Sequence, residues 1–278
     1  MPLSHQATLL HRAIAECAYF GCDSIWITCE YAEQTLYKKI IGPYVNDPLH
    51  YFFKLDPNWP QRVKRIPIYF VPMNVQDIGI RDSHAWGYIN AATMAMKVLR
   101  TLSSEFNPKY FYAAPIDGVY SAEVLSRARK LARAPVFDGV MVQYQGASFR
   151  DDFQTGFTFT VEDLKACEEH VNNSNLLPQL VDYNATNIDY PAKDFTVLEV
   201  FKPLKTDNYW KMHLREYYDA RTWHSYRRCL TNYKSAVKYP MHLFRTSDSK
   251  KENASMLEME FNELDIGDAY VESPESSR

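Results

Sequence analysis

The sequence predicts an α/β fold in which helices cover both faces of a mainly parallel sheet. Over the first half of the 278 residues, apolar runs of strand length alternate with helical segments of ten or more residues, which is the pattern of strand-helix-strand crossovers. The hydrophobic content of 46% is enough for a core. No stretch approaches the ~20 consecutive apolar residues of a membrane helix, and no secretory leader pattern is present, so we expect a cytoplasmic protein.

The first elements follow from spacing and from helix breakers. Residues 6–20 carry apolar side chains at helical intervals, and Gly21 ends this helix. Ser24–Cys29 is β-branched and aromatic, which favours a strand, and a Gly-Pro pair stops the helix predicted at Tyr31–Ile41. A polar connection with three prolines then leads to a second strand, Ile66–Val71.

The middle of the chain predicts a helix, a strand and another helix. Asp82 or Ser83 can cap a helix over Ala85–Ser103, whose apolar stripe faces the core. The aromatic and alanine-rich stretch Lys109–Ser121 predicts a buried strand that ends in a turn. A helix over Ser121–Arg133 follows, and we expect its basic outer face to be solvated.

The second half is less regular. It predicts strands at Val136–Tyr144, Thr155–Val161 and Phe195–Phe201, helices at Glu162–Asn172 and Asn208–Val237, and a long loop at Asn173–Lys193. We expect one domain over residues 1–245 and an acidic, mobile tail over residues 246–278.

Charge and cysteine content exclude several classes of function. A formal net charge of -3 gives no broad basic field, so nucleic acid is an unlikely partner, although the helix around Arg228 mixes cations with aromatic residues. The five cysteines are an odd number without a Cys-x-x-Cys pair, which argues against a disulfide framework and against a zinc site. We expect most of them to be buried thiols.

Asp117 is the first candidate for chemistry. It follows the strand predicted within Lys109–Ser121, and ligands of open α/β sheets bind beyond the carboxyl ends of the strands. A carboxylate there can hold a divalent cation and, through it, phosphate oxygens. The alternative is that an Asp in a Pro-Ile-Asp-Gly turn bonds its own backbone.

The order of four motifs resembles the sugar nucleotidyltransferases, also called nucleotide-sugar pyrophosphorylases. The motifs are the opening MPLSHQATLLHRAIAECAYFGCDSIWITCEY, HAWGYINAA at 84–92, Ala-Pro-Ile-Asp at 114–117 and Thr-Gly-Phe at 155–157. Together they span Met1–Lys211.

This resemblance implies a Rossmann-like fold and a Mg²⁺-dependent reaction. In that reaction a sugar 1-phosphate oxygen attacks the α-phosphorus of a nucleoside triphosphate and expels pyrophosphate, so charge neutralisation and alignment matter most. The implied roles are metal binding and catalysis for Asp117, a second metal ligand at Asp207, nucleotide binding by His84, Ala85, Trp86 and Gly87, and sugar binding by Thr155 and Gly156.

The chain also departs from the family. The Gly-rich phosphate loop would precede Met1-Pro2-Leu3, His84 replaces the first Gly of the base-binding segment, and Lys205 aligns with the second metal carboxylate, so that Asp207 is the nearest substitute. Phe201-Lys202-Pro203 resembles the Glu-Lys-Pro sugar-phosphate motif but comes after the Thr-Gly turn. Three explanations stay open: an upstream extension, a second chain that supplies the loop and completes the sheet, or a degenerate member that acts as a binding or scaffold subunit.

Overall fold

A computed structural model describes residues 1–4, 7–49, 64–74, 77, 83–102, 108–131, 136–173, 195–232 and 241–244. The helices are α1 (Leu9–Phe20), α2 (Gln34–Ile41), α3 (His84–Leu102), α4 (Ala128–Leu131), α5 (Val161–Asn173), α6 (Val197–Val200) and α7 (Trp223–Asn232). The strands are β1 (Ile25–Cys29), β2 (Tyr44–Asn46), β3 (Arg65–Pro72), β4 (Phe111–Ala113), β5 (Gly118–Val119), β6 (Gly139–Tyr144), β7 (Phe157–Phe159), β8 (Tyr209–Leu214) and β9 (Tyr218–Asp219). The protein is therefore of the α/β class, while the acidic tail and most of the loop expected at 173–193 lie outside the described residues.

The strands form short, mixed sheets. Their orders are β1-β3-β2, β4-β7-β6-β8 and β5-β9. Among the described strands, the pairs β1 with β3 and β6 with β8 are parallel, and the other four pairs are antiparallel. The expectation of a mainly parallel sheet is corrected here, because β7 lies between β4 and β6 and runs antiparallel to both.

Two of the three hydrophobic cores among the described residues lie on opposite faces of the β4-β7-β6-β8 sheet. Along β6, Val140 and Val142 belong to one core and Met141 to the other, as the two-residue period of a strand requires. The first core packs α1 against strands of both larger sheets, namely β1, β2, β3, β6 and β8. The second packs α3, α5 and α6 against the other face of the β4-β7-β6-β8 sheet.

Helix α1 has well-formed ends. Thr8 caps its start in a reciprocal arrangement with His11, and Gly21 ends it in the left-handed conformation with φ of 95°. Eleven of its 12 residues are buried, so α1 lies inside the molecule rather than on one face of it.

Two predicted elements of the second half are wrong. Residues 197–200, expected to be a strand, form α6, because Thr196 and Glu199 make a capping box that starts a helix. The helix expected over Asn208–Val237 begins as β8, whose Tyr209, Met212 and Leu214 are buried while Lys211 and His213 are exposed. Only α7 is helical within the described part of that range, and residues 233–237 lie outside it.

The two larger sheets each end at a strand with one partner. Among the described residues, β1 pairs only with β3, and β4 pairs only with β7. Both sheets nevertheless contribute to the first core, because Ile27 of β1 and Tyr112 of β4 pack against it. The described helices include none with the length and apolar character needed to cross a membrane.

Four of the five cysteines are buried, as expected from the sequence. These are Cys17, Cys29, Cys167 and Cys229. Cys22 is half-buried and follows the glycine that ends α1.

Candidate functional site

Asp117 follows the carboxyl end of β4 and enters the small β5-β9 sheet. The backbone carbonyl of Asp117 accepts a hydrogen bond of 2.8 Å from the Ala220 N–H, just after β9. The backbone of the next residue, Gly118, packs against the backbone of Gln154. A Cβ on Gly118 would lie 1.7 Å from the Gln154 carbonyl oxygen, so a side chain does not fit there. The Asp117 carboxylate is half-buried, and no side chain or backbone N–H in the described ranges donates a hydrogen bond to it. Asp117 therefore has a fixed backbone and a carboxylate that can still bind a ligand.

A buried ion pair on α1 lies behind this turn. The Arg12 and Glu16 side chains are 2% and 0% exposed, and Arg12 Nη1 lies 2.5 Å from Glu16 Oε2. Arg12 also donates a hydrogen bond through Nη2 to the carbonyl oxygen of Pro115, two residues before Asp117. The sequence contains this pair at i, i+4 spacing, which is ordinarily typical of a solvated helix surface. Its burial was not predicted.

Two tyrosines complete the environment of Glu16. The hydroxyl of Tyr112 donates to Glu16 Oε1 at 2.6 Å, and that of Tyr120 donates to the same oxygen. Burial raises the pKa of both tyrosines well above the ordinary value, and the negative charge of Glu16 raises it further. Both hydroxyls therefore stay protonated and remain donors. Arg12 in addition lies over the Tyr120 ring, 4.9 Å from its centre.

The Thr155-Gly156 turn packs directly onto this group. The Gly156 N–H donates to the Tyr120 hydroxyl oxygen at 3.1 Å. A Cβ on Gly156 would lie 2.0 Å from the Tyr112 hydroxyl and 2.6 Å from Glu16 Oε1, so no larger residue fits without rearrangement. Thr155 is completely buried, and its hydroxyl has no hydrogen-bond partner in the described ranges. A ligand can contact the Thr155 side chain only if this turn opens.

The start of α3 carries the residues predicted to bind the nucleotide. Ser83 accepts a hydrogen bond of 3.2 Å from the Trp86 N–H, as expected of the capping residue. His84 is exposed, whereas Ala85, Trp86 and Gly87 are buried. Gly87 faces β1, where its carbonyl accepts a hydrogen bond of 2.9 Å from Thr28, so its immediate neighbour is protein.

Tyr88 connects the start of α3 with the rest of the site. Its ring lies 6.5 Å from the ring of Phe157, directly after the Thr155-Gly156 turn. Burial raises the pKa of Tyr88 above the ordinary value, and the nearby carboxylates of Asp117 and Glu16 raise it further. The structure therefore places Asp117 near the Thr155-Gly156 turn, and Tyr88, which follows the segment predicted at 84–87, lies close to both.

Asp207 is not part of this group. It is exposed and precedes β8, whereas Asp117 contacts Ala220, beyond the end of that strand. A strand of this length spans roughly 17 Å, so the two carboxylates lie toward opposite ends of β8. In the described part of the chain, no group of three or more His, Cys, Asp or Glu side chains could hold a metal ion. Asp207 as a second metal ligand stays a prediction without geometric support.

Comparison with known proteins adds no relative from which a function could be transferred. The sequence matches no protein-family model and no curated protein. The site must therefore be interpreted from its own geometry.

Proposed function

We propose that this protein is a divergent, Mg²⁺-dependent nucleotidyltransferase with a Rossmann-like core of the nucleotide-sugar transferase type. It would transfer a nucleotidyl group from a nucleoside triphosphate to a sugar 1-phosphate or a similar phosphorylated small molecule in the cytoplasm. The observation that carries the proposal is that the Asp117 turn lies against the Thr155-Gly156 turn, with Tyr88 from the start of α3 close to both. Residues far apart in sequence meet there around a carboxylate that accepts no hydrogen bond from a described residue.

The Asp117 carboxylate could hold a magnesium ion that is shared with the substrate. Glu16 already accepts hydrogen bonds from Arg12, Tyr112 and Tyr120, which leaves Asp117 as the available carboxylate. Mg²⁺ is commonly bound through one or two carboxylates, with waters and substrate phosphates as the other ligands, so a single Asp is sufficient. The ion would supply positive charge to the phosphate oxygens as pyrophosphate leaves.

The role of the protein's own residues would be alignment. Asp117 would fix the triphosphate on the β4 side, and the exposed His84 at the start of α3 would border the base. The attacking oxygen of the second substrate must lie in line with the leaving pyrophosphate, which requires both turns to be held firmly. Backbone hydrogen bonds at Asp117 and Gly156 provide that rigidity.

We propose a second chain as the partner that supplies the phosphate loop of the nucleotidyltransferases. Among the described residues, β1 and β4 are edge strands of two sheets that share α1 on one face. Unpaired edges are rarely left uncovered in proteins. A strand inserted between β1 and β4 would pair with both, and the loop that follows it would lie near Asp117.

The alternative function is binding without transfer, as a scaffold subunit of a larger assembly. One observation favours it. Thr155, Ala85, Trp86 and Gly87 are buried, so most of the residues assigned to sugar and nucleotide by resemblance are covered by protein. An active enzyme would have to expose some of them when substrate binds.

Calorimetric titration tests the first proposal. The five probes are ATP, CTP, GTP, UTP and dTTP, each with and without Mg²⁺, and the variants are Asp117→Asn and Asp207→Asn. We expect one triphosphate to bind in a Mg²⁺-dependent manner and Asp117→Asn to weaken its binding about tenfold or more, because a charged ligand contact is lost. Asp207→Asn tests the second metal ligand that the resemblance implies: a ligand at Asp207 predicts a similar loss, whereas binding like the wild type would leave Asp117 as the single carboxylate.

Two results would contradict the proposal. Absence of Mg²⁺-dependent binding of any of the five triphosphates would remove the nucleotide site, and equal binding by the wild type and Asp117→Asn would remove the role of Asp117. Binding without exchange of labelled pyrophosphate into the triphosphate, assayed with sugar 1-phosphates present, would favour the binding subunit over the transferase.

A further inference from the structure

We infer that the buried Arg12-Glu16 pair is a positioning unit that fixes the Asp117 turn and the Thr155-Gly156 turn relative to each other. The inference rests on the proposed function only in taking these turns as the ligand site. Neither Arg12 nor Glu16 is assigned a contact with substrate, so neither is a catalytic residue.

The cost of burial argues that this pair has a specific task. Transferring two charged groups from water to the interior is unfavourable, and well-packed apolar side chains often give equal or greater stability. Arg12 and Glu16 are both almost completely buried in a helix whose neighbouring positions are apolar. Stability alone therefore does not explain why charges stand at these positions.

Arg12 provides the connection to the Asp117 turn. Its planar guanidinium donates through Nη1 to Glu16 and through Nη2 to the carbonyl of Pro115. Lysine cannot reproduce this pattern, because its single ammonium lacks the fork geometry. Arg12 therefore holds Pro115, and with it the backbone that leads to Asp117, in a fixed position relative to α1.

Glu16 and Tyr120 provide the connection to the other turn. Glu16 orients the Tyr120 hydroxyl by accepting a hydrogen bond from it, and the oxygen of that hydroxyl accepts a hydrogen bond of 3.1 Å from the Gly156 N–H. The Gly156 backbone then rests against the Tyr112 hydroxyl and Glu16, where a Cβ would not fit. The chain of contacts from Pro115 to Gly156 is therefore continuous and runs through one ion pair.

Reactive groups on two loops must be held within a fraction of an ångström for transfer to proceed. A unit that bonds to both loops from one rigid helix meets that requirement. The inference predicts coupling: a change at Arg12 should alter Gly156, to which the described contacts connect it through Glu16 and Tyr120.

Amide hydrogen exchange without ligand tests the coupling directly. In Arg12→Lys, we expect exchange of the Gly156 amide to accelerate about tenfold relative to that of Ile68, whose N–H bonds to the Pro43 carbonyl in the other sheet. Tyr209→Phe is the control, because it removes a buried hydroxyl that donates to the Thr158 carbonyl but does not contact Glu16. That variant should leave the ratio of the exchange rates at Gly156 and Ile68 unchanged.

Two results would overturn the inference. In the first, the ratio of the amide exchange rates of Gly156 and Ile68 is the same in Arg12→Lys as in the wild type. In the second, the ratio rises equally in Tyr209→Phe, which would indicate a general loosening of the sheet. A variant that fails to fold is replaced by Arg12→Gln, which removes the forked contact to Glu16 and Pro115 but keeps the Tyr120 hydroxyl that accepts the Gly156 N–H, with the same expectation.

Titration with the triphosphate that binds the wild type adds a second readout. We expect Arg12→Lys to weaken its binding several-fold, and unchanged binding would contradict a positioning role. Failure of the proposed function can be distinguished from failure of this inference. A wild-type protein that binds none of the five triphosphates refutes the nucleotide site, whereas the ratio of exchange rates still tests the coupling.

Discussion

His11 makes the stability of this protein depend on pH in the range of histidine titration. The ring is 5% exposed, and its Nδ1 accepts a hydrogen bond of 3.2 Å from the Thr8 N–H at the start of α1. The neutral ring is therefore the form that the capping arrangement uses. Burial lowers the pKa of His11 from 6.5 to about 4.

The size of the effect follows from proton linkage. Between the two pKa values, the unfolded state binds a proton at His11 and the folded state does not, so stability falls as pH falls. With the unfolded pKa at 6.5 and the folded pKa at about 4, the loss between pH 7 and pH 5 is about 2 kcal/mol. The dependence levels off below the folded value.

Urea unfolding at a series of pH values measures this loss, and His11→Gln isolates it. Gln at this position can still take part in a capping box, so we expect little change in stability at pH 7 and a flatter profile between pH 7 and pH 5. The exposed His213 supplies the control, because His213→Gln should keep the wild-type profile. An equally steep profile in His11→Gln and the wild type would refute this account of His11.

Two further predictions concern packing and charge. Asp47, whose side chain is fully buried, accepts two hydrogen bonds of 2.7 Å from Arg129, so Asp47→Asn should cost about 3 kcal/mol in urea unfolding by leaving that cation uncompensated. Asp23→Asn, at an 82% exposed carboxylate, should cost about 0.5 kcal/mol or less, and equal losses would contradict the role of burial. Gly156→Ala should lower the thermal midpoint through the clash with Tyr112, at a cost of about 1–3 kcal/mol, whereas Gly87→Ala, whose nearest contact would be 3.7 Å, should keep or raise it. A stable Gly156→Ala would show that the turn can move away from Glu16.

Local patterns predicted most of the first half of the fold. The helix ending at Gly21, the strand at 25–29 and the helix at 84–102 were found close to their expected bounds, because their breakers and apolar spacing act within a few residues. Ser83 was one of the two residues expected to cap that helix, and it accepts the capping hydrogen bond.

The errors arose where two patterns compete. The sequence from Phe195 to Phe201 is apolar enough for a strand, but the capping box of Thr196 and Glu199 favours a helix. That capping signature can be recognised in the sequence. In β8, the strand pattern of the residues that become buried, Tyr209, Met212 and Leu214, was hard to recognise among the aromatic and basic residues around them.

The candidate site could be predicted only in part. Asp117 and the Thr-Gly turn were identified from motifs, and the structure brings them together. The ion pair that connects them was missed, because an Arg and a Glu four residues apart look the same in sequence whether they are solvated or buried. Their burial depends on strands about a hundred residues further along the chain.

That separation has a consequence for how the chain folds during synthesis. Glu16 and its partner Tyr120 are 104 residues apart, so α1 leaves the ribosome long before the groups that hydrogen-bond to its ion pair exist. At roughly 5–20 residues per second, the helix waits for about 5–20 s. Contacts of such long range also slow folding in isolation. We therefore expect α1 to be among the last elements to acquire its native surroundings, and the nascent chain to expose its apolar residues to chaperones until β4 and the segment after it emerge.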